Sequence, residues 1–148
     1  MIFIRSSGAF SVIELIFVIV VLGILSAFAL PRFADAKEHA DIAKGRSDIV
    51  AIRTGIINER QSRVIRGDFS WIKNGVEEGQ MDNKGLFGAI FTYPITNSNS
   101  AGNWSATAGS GVYYYKVSDK TSLRFDYKED SGRFECDTKD SLCTLLLN

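Results

Sequence analysis

The chain has 148 residues, of which 17 are basic and 17 acidic, so its formal net charge is zero. This balance predicts no strong attraction to a polyanion, and we expect no nucleic-acid partner. Hydrophobic residues make up 45% of the chain, and the part beyond Pro31 is long enough for one compact domain but not for two.

The N-terminal segment combines a short leader with a long apolar run. Residues 1–9 contain one charged side chain, Arg5, and the run from Phe10 to Leu30 contains one, Glu14. The length of this run is close to the roughly 20 residues that a helix needs to cross a bilayer. A carboxylate inside a membrane is expensive, at about 3 kcal/mol for Asp at a helix centre. We therefore expect Glu14 to have a partner.

A cut between Ala9 and Phe10 would supply that partner. The new amine would precede Glu14 by four residues, or roughly 6 Å along a helix axis. A neighbouring copy shifted along the helix could then place its own Phe10 amine against Glu14. Such a pair would neutralise both charges in an apolar bundle and would set the stagger between copies.

This leader, cut position and glutamate-bearing helix resemble the N-terminal signal of the type IV pilin and pseudopilin superfamily. The resemblance implies cleavage by prepilin peptidase between Ala9 and Phe10, methylation of the Phe10 amine, an assembly role for Glu14 and a helix bend at Pro31. It is close from Phe10 to Pro31 and extends loosely over about the first 60 residues. The family usually has glycine before the cut, where this chain has Ala9.

An ordinary secretory signal peptide is the main alternative for the same residues. The apolar stretch from Leu15 to Leu25 is followed by an Ala-x-Ala pattern that would place cleavage after Ala29. Against this, Glu14 would leave the n-region with little positive charge, and Pro31 restricts the backbone just past the cut. A plain membrane anchor is the other alternative, and it leaves Glu14 unexplained.

Beyond Pro31 the pattern predicts an amphipathic helix whose apolar stripe lies against a head domain. Small and aliphatic residues recur there at three- and four-residue spacings: Ala34, Ala36, Ala40, Ala43, Ile49, Val50, Ile52, Ile56 and Ile57. Pro31 removes one backbone hydrogen bond and is expected to bend the helix without ending it. Gly45 and Gly55 each weaken the helix by about 1 kcal/mol relative to alanine. We predict that the helix ends between Asn58 and Arg63.

The middle of the chain predicts two short helical segments followed by a loop. Asp68 is expected to cap a helical turn over residues 68–72, and the apolar residues 86–91 are expected to form a helix that stops at Pro94. The stretch from Thr96 to Gly111 is rich in Ser, Gly and Asn, which predicts a loop. We expect Trp104 within it to pack against the head.

The C-terminal third predicts a sheet. Residues 112–117, 123–127 and 133–136 are separated by turn signals, and residues 123–127 alternate apolar and polar side chains. The aromatic run 113–115 could stack bases, but alternation between the two faces of a sheet explains it more simply. We predict three antiparallel strands packed on the apolar face of the long helix. The expected fold class is α+β and pilin-like: a long N-terminal helix, half transmembrane and half amphipathic, on a small antiparallel β-sheet.

The two cysteines, Cys136 and Cys143, are close in sequence. A pilin-type signal would deliver them to the periplasm, where disulfides persist, and the bridge would stabilise the fold by about 2.5 kcal/mol on a chain-entropy estimate. The pair has no nearby His or third Cys and so is a poor zinc site. It also lacks the Cys-x-x-Cys spacing of redox motifs. We predict a structural disulfide.

The sequence predicts neither an enzyme nor a cofactor or metal site. His39 is the sole histidine and lies among charges on the predicted helix. No glycine-rich phosphate loop follows a strand, and no serine nucleophile motif is present. Aspartates recur in the C-terminal turns, where solvated side chains are the default expectation and calcium ligands, as in some major pseudopilins, are the alternative: Asp119, Asp126, Asp130, Asp137 and Asp140.

The predicted function is that of a structural filament subunit, a pseudopilin or minor pilin of a type II secretion or type IV pilus system. Residues 1–9 would be the leader, 10–30 the transmembrane and assembly helix, and 31–148 the periplasmic head of a single-pass inner-membrane protein. The expected partners are prepilin peptidase, other pilin or pseudopilin subunits, the inner-membrane assembly platform and membrane lipid. The alternative is an anchored or secreted periplasmic binding domain that does not polymerise.

Overall fold

The fold is taken from a computed structural model, which describes residues 10–76, 85–107 and 109–147. The chain divides into two compact units, Met1–Lys37 and Glu38–Asn148. Helix α1 spans Val12–Ile65 and therefore contributes to both. It continues through Pro31, as expected for a proline that costs one hydrogen bond but does not stop the helix.

The first unit contains the apolar part of α1. Its segment Val12–Ala29 is long and apolar enough to cross a membrane, and none of it is buried against other parts of the protein. A helix that is apolar on all sides needs an apolar environment around it. The surface of this segment is therefore built to be covered by lipid or by other helices.

Helix α1 ends at Ile65, two residues beyond the range near Asn58 to Arg63 in which the sequence predicts its end. Gly67 adopts a left-handed conformation with φ of 83°. Its N–H donates to the Val64 carbonyl at 3.0 Å, and the Asp68 N–H donates to the Arg63 carbonyl at 2.9 Å. These two bonds form a Schellman motif, which ends the helix at Ile65. The glycine was the signal in the sequence that marked this end.

The predicted helical turn at residues 68–72 is absent, and Asp68 caps no helix there. Its carboxylate accepts the N–H of Ser70 at 2.9 Å, which closes an Asx-turn. This hydrogen bond also lowers the pKa of Asp68. Arg60 holds the extended segment that follows onto α1: it donates to the Ser70 carbonyl at 3.0 Å, and its guanidinium lies 5.0 Å from the Trp71 ring centroid.

The second unit also contains two antiparallel sheets and a short helix. The strands and the helix are β1 Gly85–Leu86, β2 Ile95–Thr96, β3 Asn103–Ala106, β4 Val112–Ser118, β5 Thr121–Lys128, β6 Arg133–Cys136 and α2 Ser141–Leu147. Strands β1 and β2 form a pair, and the other four are ordered β3-β4-β5-β6. The three predicted strands are confirmed as β4, β5 and β6, and the α+β fold class is confirmed. Strand β3 and helix α2 were not predicted.

The predicted helix at residues 86–91 was wrong. Leu86 is a strand residue that pairs with Ile95, and Phe87 breaks the chain direction with a positive φ of 63°. Both Leu86 and Phe87 are fully buried. A short run that is buried on all sides has no polar face, so its periodicity cannot separate a helix from a strand.

Strand β3 lies inside the segment that composition marked as a loop. Trp104 pairs with Tyr115 of β4, and the outer edge of β3 is closed by polar groups of the preceding residues. The Asn97 side chain donates to the Ala106 carbonyl at 2.9 Å and accepts from its N–H at 3.3 Å, and the Ser98 N–H donates to the Trp104 carbonyl at 2.9 Å. Residues of this Ser- and Asn-rich stretch therefore satisfy the backbone hydrogen-bonding groups of an edge strand.

Trp104 lies at the centre of the core, as predicted, with none of its surface exposed. Its ring is 4.9 Å from that of Tyr115, 5.2 Å from Phe125 and 5.8 Å from Phe134, measured between centroids. Helix α1 adds three buried isoleucines to this core: Ile49, Ile52 and Ile56. Tyr113 and Tyr115 point inwards, while Tyr114 is 41% exposed. The expected alternation along β4 is thus confirmed.

Polar contacts fasten α1 to the sheet beside this core. The Trp104 indole N–H donates to the Asp48 carboxylate at 3.1 Å, and the Tyr115 hydroxyl donates to the Asp41 carbonyl at 2.5 Å. Lys44 donates to the Gly102 carbonyl. Burial raises the pKa of the Tyr115 phenol, and the charges of Asp48 and Asp41 raise it further. Tyr115 therefore remains a neutral donor.

The predicted disulfide between Cys136 and Cys143 is present. It joins the end of β6 to helix α2, and both sulfur-bearing residues are buried. The Asp140 carboxylate caps α2 by accepting the Leu142 N–H at 2.9 Å. The bridge and this cap together hold the C-terminus of the chain against the core.

Gly45 is required by close packing, which the helix-propensity argument did not foresee. A Cβ at this position would lie 2.5 Å from a ring carbon of Tyr115. That ring is buried and its hydroxyl is fixed to α1, so it cannot move aside.

We expect Gly45→Ala to destabilise the head despite the better helix propensity of alanine. The gain of about 1 kcal/mol is smaller than the overpacking cost of about 1–3 kcal/mol. The urea midpoint for loss of protease resistance in the full-length protein should fall. Ser47→Ala, at an exposed position on the same helix, is the matched control and should leave the midpoint unchanged or slightly raised. A higher midpoint for Gly45→Ala would contradict the packing argument.

Candidate assembly surface

Glu14 lies in the first turn of α1. The Ser11 carbonyl accepts the N–H groups of Glu14 at 3.0 Å and of Leu15 at 3.1 Å, which makes Ser11 the N-cap. Ser11 and Glu14 have the spacing of a capping box, and the positive end of the helix dipole favours a carboxylate in this turn. Sequence reasoning missed this favourable position at the helix N-terminus, although the Ser-x-x-Glu pattern could have shown it.

The capping position reduces the cost of Glu14 but gives its charge no counter-ion. Among residues 10–76, 85–107 and 109–147, no ion pair or side-chain hydrogen bond involves this carboxylate. The other polar side chain of the apolar segment, Ser26, is satisfied within the helix because it donates to the Leu22 carbonyl at 2.7 Å. Glu14 is thus the polar group of Val12–Ala29 that still needs a partner.

Phe10 precedes the helix and is 78% exposed. Ala9 lies outside the described residues. The processing site between Ala9 and Phe10 and the pairing of the Phe10 amine with Glu14 therefore stay predictions.

A second surface lies on the part of α1 that belongs to the head unit. Exposed and uncharged residues recur there at alternating three- and four-residue spacings, and we name them the outer stripe: Ala40, Ala43, Ser47, Val50, Thr54, Ile57, Gln61 and Val64. Val50 is 65% and Ile57 53% exposed. Both had been assigned to the core-facing stripe, and this assignment was wrong because α1 carries two stripes. The core-facing one is formed by Ile49, Ile52 and Ile56.

The spacing of the outer stripe is that of a helix that packs along another helix. Charged residues border it on α1, among them Lys44, Arg46, Asp48, Arg53 and Arg60. A solvent-facing stripe would ordinarily be the most polar part of such a helix. This arrangement favours a partner helix over water.

The described residues offer few groups that are suited to metal binding or acid–base catalysis. In the described ranges, no three or more His, Cys, Asp or Glu side chains come together in a way that could hold a metal ion. His39 is exposed on α1, as expected. Asp137 and Asp140 accept nearby backbone N–H groups, at 2.9 Å each. These two C-terminal aspartates are therefore turn and cap residues.

Comparison with known proteins gives two related matches. The chain is 38% identical over 52 residues to the type II secretion system core protein G of Vibrio cholerae, and 40% identical over 52 residues to the core protein G of Aeromonas hydrophila. Each match covers 35% of this chain and 36% of the relative, so the chain spans about a third of the length of the curated relatives it matches. No family model matches the chain, and no solved structure matches it.

Proposed function

We propose that this chain, a member of the type IV pilin and pseudopilin superfamily, is a pseudopilin, a structural filament subunit of a type II secretion system. The observation that carries the proposal is the uncovered apolar helix Val12–Ala29, whose carboxylate Glu14 has no partner among the described residues. A lipid-facing anchor alone would gain from this charge only its favourable interaction with the helix N-terminus and would leave it without a counter-ion. A bundle of copies that presents an amine to it would supply one.

The proposed mechanism has three steps. Prepilin peptidase removes residues 1–9 and leaves Phe10 with an N-methylated amine. The Phe10–Leu30 helix stays in the inner membrane until the assembly platform brings copies together. The amine of an incoming copy then pairs with Glu14 of its neighbour, which removes two isolated charges from an apolar environment and fixes the axial offset between the two.

The rest of the chain would form the periplasmic head, residues 31–148. The disulfide between Cys136 and Cys143 is the kind of bond that persists in that compartment. The outer stripe on α1 offers further uncharged surface to the helices of other pilin or pseudopilin subunits. The chain itself needs no cofactor for these steps, and the methyl group on the Phe10 amine comes from a methyl donor that the peptidase uses.

The mature N-terminus tests the proposal directly. Mass spectrometry of the membrane fraction, from cells that carry their prepilin peptidase, should find a chain that begins with N-methylated Phe10. A chain that begins at Leu30 would identify an ordinary signal peptide and a secreted domain. An intact Met1 would identify a simple anchor. Either of these two results would overturn the filament proposal.

A further inference from the structure

A groove runs along α1 on the side that faces β6 and α2. One part has a volume of 260 Å³ and is lined by Arg53, Ile57, Gly132, Arg133, Phe134 and Glu135. The other has a volume of 190 Å³ and is lined by Arg46, Ile49, Val50, Arg53, Leu146 and Leu147. Arg53 lines both parts, which we together call the groove. Its lining contains three arginines and three buried apolar residues, Ile49, Phe134 and Leu146.

Two of the three arginines, Arg53 and Arg133, have unused donors, whereas Arg46 already donates its Nε and one amino group to the Leu145 carbonyl at 3.0 and 2.7 Å. Arg53 uses its Nε to donate to the Phe134 carbonyl at 3.0 Å, and in the described part of the chain its two amino groups make no further bond. Arg133 is exposed and has no partner within those same residues. Glu135 is the one acidic residue in the lining. The groove is therefore a basic site with unused hydrogen-bond donors, which favours a carboxylate on an apolar segment.

The chain itself presents such a segment. Glu38 is exposed on α1 and has no partner in the described residues, and Asp35, three residues earlier, is also exposed. Ala36 and Ala40 flank Glu38 and are exposed as well. Their small side chains would allow a helix to approach a shallow groove closely. Lys37, beside Glu38, is exposed as well, so this segment carries two acidic side chains and one basic one. The segment and the basic groove occupy different places on the same molecule, which is the requirement for a head-to-tail contact between identical copies.

We propose that the groove around Arg53 and Arg133 is the docking site for the α1 segment around Glu38 of a second copy of this chain. The inference rests on the proposed filament function. Glu38 precedes Arg46 by eight residues and Arg53 by fifteen, or about 12 and 22 Å along a helix axis. A parallel copy displaced by roughly this distance would bring its carboxylate to the groove.

This displacement differs from the roughly 6 Å that separates the Phe10 amine from Glu14 along the helix. The inference therefore assigns the two contacts to different neighbours. A heterologous contact that does not close a ring generates an open helical assembly, in which each subunit has several neighbours. The groove contact would set which heads lie side by side, while Glu14 would set the packing of the membrane helices.

Charge reversal in the full-length chain tests the pairing. Arg133→Glu and Glu38→Arg each change an exposed side chain that has no described partner, so the fold should be unaffected. Cross-linked oligomer in membranes should fall about tenfold for each single variant, because like charges would then face each other. The double variant R133E/E38R should return to within about twofold of the wild type. Asp119→Arg, on the turn between β4 and β5, is the control and should cross-link as the wild type does.

The outcomes separate this inference from the function on which it rests. If the wild type gives no cross-linked oligomer, the filament proposal fails and the inference fails with it. If the wild type cross-links and Arg133→Glu does so undiminished, the groove contact alone is overturned. Single variants that lose cross-linking without rescue in the double variant would also overturn the pairing of Glu38 with Arg133.

Discussion

Glu14→Leu should leave membrane insertion intact and reduce cross-linked oligomer to less than about a tenth of the wild-type level. Removing a carboxylate from the apolar segment lowers the cost of insertion, by about 3 kcal/mol at most. The same change deletes the acceptor for the Phe10 amine of a neighbouring copy and leaves that amine unpaired in an apolar bundle. The measurement is chemical cross-linking in membranes, with carbonate extraction to verify insertion.

Glu14→Gln is the decisive companion, because Glu14 has two roles. Glutamine can take the third helical position of a capping box as well as glutamate can, but it carries no charge. We therefore expect Glu14→Gln to fail in assembly as Glu14→Leu does, while Glu14→Asp keeps the charge and retains part of the cross-linking. Wild-type cross-linking by Glu14→Gln would show that assembly does not need the charge of Glu14 and would contradict the ion-pair mechanism.

The success of the sequence analysis at the N-terminus and its errors in the head have a common physical reason. The apolar helix can be predicted from local composition, because the length and hydropathy of Val12–Ala29 identify it without any contact to the rest of the protein. Strands β4 to β6 were also predictable, because each buries one face only and so alternates, as in the buried Tyr113 and Tyr115 beside the exposed Tyr114.

The missed features depend on contacts that local composition and spacing do not show. The Asn97 side chain makes the two hydrogen bonds to the Ala106 backbone that a neighbouring strand would otherwise make. Nothing in the composition of residues 96–111 indicates that pairing. Gly45 looks like a weak point of the helix until Tyr115 is seen against it. The basic groove combines Arg53 from α1 with Arg133 from β6, which no spacing rule connects. Sequence reasoning therefore located the processing and assembly residues as predictions, but could not locate the groove.

The second large effect is expected at the centre of the core, where Trp104→Ala should unfold the head under mild conditions. Truncation of a buried Trp costs about 3–5 kcal/mol, which is a large fraction of the total stability of about 5–15 kcal/mol for a domain. The change also removes the indole N–H that donates to the Asp48 carboxylate at 3.1 Å. The urea midpoint for protease resistance of the full-length protein should fall by more than about 1 M.

Two controls separate the parts of this effect. Trp104→Phe keeps an aromatic ring among Tyr115, Phe125 and Phe134 but cannot donate to Asp48, so its midpoint should lie between those of the wild type and Trp104→Ala. Tyr114→Ala changes a ring of similar size on the exposed face of β4 and should cost no more than about 0.5 kcal/mol. Equal decreases of the urea midpoint in Trp104→Ala and Tyr114→Ala would contradict the assignment of Trp104 as the central core residue. Equal losses for Trp104→Ala and Trp104→Phe would mean that the hydrogen bond to Asp48, and not ring packing, holds α1 to the sheet.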